Sequence, residues 1–116
     1  MKEYNLLLGI IYFSIGHILV WFQLNGQFFK MDWFRKNETV VALFGFVISF
    51  FYIWATKYTV ESFNGLLWPA RFIGFAIGIL IYAVFVAIFF NEGISIKTFI
   101  SLILCVSLIC IQVFVK

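Results

Sequence analysis

Charge is scarce in this sequence. Only 11% of its 116 residues are Asp, Glu, Lys or Arg, against about 25% in an ordinary soluble domain. Hydrophobic residues make up 65%, and the mean hydropathy is +1.10. A water-soluble fold of this length could not cover its own core with so few polar groups, so lipid must be the solvent for much of the surface. The few Lys and Arg residues are scattered in the short connections and form no stripe, which argues against a nucleic-acid interface. Histidine occurs once, at His17, and no second His, Cys or carboxylate stands at ligand spacing from it. Neither a metal site nor any other cofactor is expected. Ser-His-Asp, Cys-His, paired-carboxylate and phosphate-loop arrangements are missing, so an enzyme is not expected either. Cys105 and Cys110 share one apolar run at a spacing that points them in different directions, and they read as small apolar side chains.

What the sequence does contain is long apolar runs. A helix covers about 30 Å of hydrocarbon in about 20 residues. Four segments meet that length: residues 4–22, 39–56, 69–90 with a lead-in over 62–68, and 96–115. They must be helical, because lipid satisfies no backbone N–H or C=O group. A transmembrane β-barrel would need alternating strands of about ten residues, and the run from Ile77 to Ala87 does not alternate. The first run ends in Leu19-Val20-Trp21-Phe22-Gln23, too bulky for a signal-peptidase site, and is read as a retained helix. Pro69, the single proline, suits the first turn of the third helix and would kink it if the helix began at Ser62. The expected fold is an all-α membrane protein, four transmembrane helices in a compact bundle, forming one domain over residues 1–116.

The connections are short. Asn25-Gly26 is turn chemistry that ends the first helix, and residues 27–37 mix Phe28, Phe29, Trp33 and Phe34 with Lys30, Arg35 and Lys36. Aromatics beside cations suit the headgroup layer. Asn37 is expected to cap the second helix, with Glu38 on its positive end, and Ser95 to cap the fourth after the tight turn Asn91-Glu92-Gly93. That turn makes helices three and four antiparallel neighbours. Lys30, Arg35, Lys36 and Lys97 lie on one side of the membrane. Lys2, Lys57, Lys116 and the N-terminal amine lie on the other, joined by Arg71 if it is counted as interfacial. The positive-inside rule needs an imbalance to fix orientation, and the even split is compatible with dual topology. The absence of a targeting extension makes a bacterial inner membrane the default location.

Three features could carry function. Arg71 is the only charge in the third segment, and a charge at mid-membrane costs about 2.5–3.5 kcal/mol on insertion scales. It is either an anion site facing a cavity, with Trp68 and Asn64 one and two turns before it, or a first-turn arginine reaching for lipid phosphate. His17, with Ser14 one turn before it, is either a proton or substrate group or a neutral imidazole bonded to a neighbouring helix. Ala70, Gly74 and Gly78 form a small-residue ladder of the kind that lets helices approach closely. Ser101 and Cys105 make a weaker small-residue pair on the fourth helix. Lys57 and Glu61 read as interfacial charges.

Four helices in so short a chain, with almost no loops, resemble the small multidrug resistance proteins and their relatives in the drug/metabolite transporter superfamily. The likeness is strongest from Phe75-Ala76-Ile77-Gly78-Ile79 through Phe89-Phe90-Asn91-Glu92-Gly93-Ile94-Ser95-Ile96. That stretch is similar to the family's glycine-containing third helix, aromatic end, short polar turn and fourth helix. Tyr4 to Ile11, with Gly9, is similar to its start. The resemblance implies a small transporter acting as an antiparallel homodimer, with helices one to three lining the path and helix four at the interface. The family's helix-one glutamate would fall on Ser14. Without that carboxylate, Arg71 suits an anionic, neutral or lipid-like substrate better than a cationic drug. The competing expectations are a non-transport accessory or interaction protein, marked by a solid apolar bundle, and a lipid-carrier flippase subunit, with Arg71 on a lipid phosphate.

Overall fold

The computed structural model describes residues 2–115. Lys116 and the N-terminal amine, both counted in the charge balance, lie outside them. Most of the described residues are helical, and none among them is in a strand: α1 spans Lys2–Asn25, α2 Trp33–Lys36, α3 Glu38–Leu43, α4 Gly45–Ser62, α5 Trp68–Phe90 and α6 Ile96–Phe114. The helices α3 and α4 run nearly end to end through Phe44, whose backbone stays helical, so they form one apolar span over Glu38–Ser62. Together with α1, α5 and α6 this makes four helical segments long and apolar enough to cross a membrane. The protein is an integral membrane protein.

The segments end where backbone chemistry ends them. Asn25 closes α1 with its side-chain amide, which donates to the Trp21 carbonyl, and Gly26–Phe28 follows as a single 3-10 turn. The helix therefore runs past the expected end at Phe22. Gln23 donates to the Val41 carbonyl, so polar residues beyond the hydrocarbon find partners without leaving the helix. At the other side of the membrane α4 continues through Lys57 and Glu61 to Ser62, six residues beyond the expected Thr56. Asn64 and Gly65, both at positive φ, then reverse the chain. Pro69 falls in the first turn of α5, where its missing N–H removes no helix bond. Ser95 caps α6, its hydroxyl accepting from the Thr98 N–H. Asn37 departs from expectation. It stands at the N-cap of α3, but its amide donates back to the Trp33 carbonyl and leaves the α3 N-terminus uncapped by a side chain.

Packing fixes the topology. The pairs Gly9–Thr59 and Gly16–Tyr52 set α1 antiparallel to α4, and Phe13–Gly74, His17–Gly78 and Trp21–Phe85 set it parallel to α5. The core lies at the α1–α4–α5 junction around Phe13, Ala55, Ile73 and Ile77. The last helix, α6, packs chiefly on α5, with Val113 reaching back to that core. The loop after α1 folds over one end of the bundle, where Phe29 meets Trp21, Phe89 and Phe90. The whole measures 47 × 36 × 18 Å. Its thinnest dimension is less than two helix diameters, at about 10–12 Å each.

Candidate functional site

Two glycines of α5 shape the site. At Gly74 an added Cβ would meet the Phe13 ring at 2.9 Å, and at Gly78 it would meet His17 at 2.6 Å. The Ala70–Gly74–Gly78 ladder therefore serves contact within the chain, and two large side chains of α1 rest on the bare backbone of α5. This seats both rings while α4 closes from the other flank. The three spans do not fill the space between them. A half-open cavity of about 540 Å³ remains, lined among others by Phe13, His17, Tyr52, Arg71, Gly74 and Tyr82.

His17 sits in its wall midway along. Its Nδ1 lies 3.1 Å from the Tyr52 hydroxyl on α4, and the two rings meet edge to face with centroids 5.2 Å apart. This is the helix-to-helix hydrogen bond that a lone histidine in a membrane span calls for. The other ring nitrogen, Nε2, is buried and without a partner. Neither ring nitrogen is thus left open to the cavity.

Arg71 is in the first turn of α5, exposed, and also lines the cavity. The two sequence-based alternatives for it, a first-turn position and a cavity position, both describe where it lies. Gly78 is two helical turns further along α5, so His17 lies about 10 Å deeper than Arg71 at about 1.5 Å per residue. Thr56 of α4 lines the cavity near the Arg71 end. At the far end Leu24 and Asn25 line it, and the Asn25 side chain is already bonded to Trp21.

The other residues singled out from sequence are not gathered at this site. Ser14 is half-buried and outside the cavity lining. Trp68 is 72% exposed, stacked on Phe72, and Asn64 occupies the left-handed turn before α5 rather than a helical position in line with Arg71. Sequence reasoning missed Tyr52 and Thr56. Both sit in an uncharged span whose facing side only becomes visible once Gly16 is seen against the Tyr52 ring. Among the described residues no three His, Cys, Asp or Glu side chains converge, and no acidic side chain is in the cavity lining. No family model, curated protein or solved structure matches this chain.

Proposed function

We propose that the protein is a small membrane carrier of the drug/metabolite transporter type, with its substrate site in the cavity between α1, α4 and α5. The observation that carries this reading is the cavity itself. An accessory or packing protein calls for a solid apolar bundle, whereas here three spans leave about 540 Å³ unfilled around His17 and Arg71, within the range of sites for small molecules (about 300–1,000 Å³). In this reading α6 stands outside the path and meets a second copy.

Uptake into proteoliposomes, run over a broad panel of anionic, neutral and cationic solutes, tests the proposal. Wild type is expected to move at least one class, and His17→Ala to slow that flux at least tenfold, with circular dichroism confirming that the variant remains folded. A folded wild type that moves nothing across the panel would sink the carrier reading. The homodimer is supported by the even charge distribution, and site-specific cross-linking in native membranes checks it. Copies in both orientations are expected, and copies in one orientation alone would remove the antiparallel arrangement.

A further inference from the structure

The cavity is long. From Leu67 to Tyr82 its lining follows α5 for about 22 Å, most of the roughly 30 Å hydrocarbon thickness. The space is thus elongated along one helix, and it suits an extended occupant better than a compact one.

Its polarity is graded along the same axis. Arg71 and Thr56 mark one end. Arg71 is one turn inside the start of α5, the depth at which a span meets the headgroup layer. Beyond them the walls are Phe13, Phe75 and the bare backbone at Gly74 and Gly78, then Val20, Trp21 and Ile79. In the deeper part the Tyr82 ring, half exposed, stands at the far end, while the polar groups of His17 and Asn25 are turned inward on the protein. The His17 Nδ1 is taken by Tyr52, its Nε2 is buried, and the Asn25 amide is taken by the Trp21 carbonyl. The lining has one cation, Arg71, and no carboxylate.

We infer that the occupant is a single-chain amphiphile with an acidic head, its carboxylate or phosphate on Arg71 and its tail lying along α5 past His17. This rests on the carrier reading and names its substrate class. The argument is one of complementarity. Among the described residues no carboxylate pairs with Arg71, and a guanidinium favours an anion by charge-assisted hydrogen bonds. A cationic amphiphile would place like charges together. A short free anion would leave the apolar length unfilled, and a neutral one would leave the guanidinium without a counter-charge.

The test is equilibrium binding to purified protein in nanodiscs of zwitterionic lipid, with protein-free nanodiscs subtracted. The probe is a fluorescent long-chain carboxylate. The competitors are its methyl ester, a long-chain alkyl phosphate, a long-chain trimethylammonium, and acetate or inorganic phosphate. The carboxylate and the alkyl phosphate are expected to bind at least about tenfold more tightly than the ester, from loss of the charge-assisted bonds. Acetate and inorganic phosphate should not displace the probe at matched concentration. Arg71→Gln should bring the carboxylate down to the level of the ester, and Arg71→Lys should keep part of the preference. Because Arg71 is exposed, neither change opens a packing defect, and circular dichroism checks the fold.

Equal binding of carboxylate and ester overturns the inference, as does an unchanged preference in Arg71→Gln or tighter binding of the trimethylammonium. Displacement by inorganic phosphate as effective as by alkyl phosphate overturns the tail placement. Binding is read without turnover, so the two readings fail separately. If the amphiphile binds as described and nothing crosses the bilayer, the carrier proposal falls alone. If another solute is carried and no acidic amphiphile binds, the substrate class falls alone.

Discussion

Replacing Gly9 with valine is expected to separate the first span from the second. A Cβ at position 9 would collide with the Thr59 hydroxyl and come within 3.2 Å of the Thr59 backbone nitrogen. Thr59 is fully buried, and its hydroxyl has no hydrogen-bond partner. Turning the hydroxyl aside leaves the Thr59 Cβ and backbone nitrogen at 3.2 Å, so full relief requires moving α1 away from α4. Overpacking of this kind costs about 1–3 kcal/mol, and a β-branched side chain against backbone belongs at or above the upper end. The expected result is a large fall in the denaturing mole fraction of sodium dodecyl sulfate, read by far-ultraviolet circular dichroism from dodecyl maltoside micelles. The double variant Gly9→Ala with Thr59→Ala removes the first collision and should recover much of the loss suffered by Gly9→Ala alone, a coupling that a double-mutant cycle measures. A wild-type midpoint for Gly9→Val would show that the two helices are not held at this point.

The second large effect is expected at Trp21. The ring is 2% exposed, with Phe22, Phe29, Phe85, Phe89 and Phe90 at centroid distances between 5.2 and 6.1 Å. It joins the end of α1, the loop that follows and the end of α5. Removing a buried tryptophan costs about 3–5 kcal/mol in water-soluble cores. In lipid the transfer part of that cost largely disappears and the packing part remains, which places Trp21→Ala at about 2 kcal/mol or more. Trp21→Phe should cost far less, because the indole N–H is buried without an acceptor and such a group carries a penalty of about 1–3 kcal/mol. Losing it offsets lost ring contact. The same detergent titration separates the two variants. Equal midpoints for Trp21→Ala and wild type would mean that this aromatic group does not hold the bundle end together.

Much of the architecture was legible in the residues, for reasons of solvent. Lipid leaves a backbone no choice but helix, and the length of hydrocarbon sets the length of each run, so the existence and order of the four spans followed from composition alone. Pro69 and Ser95 marked helix starts because each has a specific backbone reason to be there. Helix ends were less legible. Hydropathy ends with the hydrocarbon, but α1 and α4 continue into the headgroup zone, where Gln23 and Asn25 find carbonyl partners and Glu61 is exposed. The cap at α3 was misjudged because Asn37 has a second acceptor, the Trp33 carbonyl, one turn back. For the site, Arg71 and His17 were visible as costly groups in an apolar setting. Tyr52 was not, since a tyrosine among aromatics has no pattern of its own. Its role comes from its place opposite His17, thirty-five residues away in the chain. Asn64 was linked to Arg71 by assuming a continuous helix, and the turn at Asn64 and Gly65 breaks that register; Trp68 does stand one turn before Arg71 on α5, but its ring stacks on Phe72 outside the cavity lining.

The thinness of the bundle bears on how an occupant would arrive. At 18 Å across, no helix is ringed by others, and the cavity wall includes Phe75 and Tyr82, each about half exposed on a lipid-facing span. A molecule already dissolved in the bilayer could then enter sideways, by two-dimensional diffusion, without crossing water. Its occupancy would follow its mole fraction in the lipid. Measured against total aqueous concentration, apparent affinity would shift with the amount of membrane in the sample, and only a titration expressed per lipid would give a constant value.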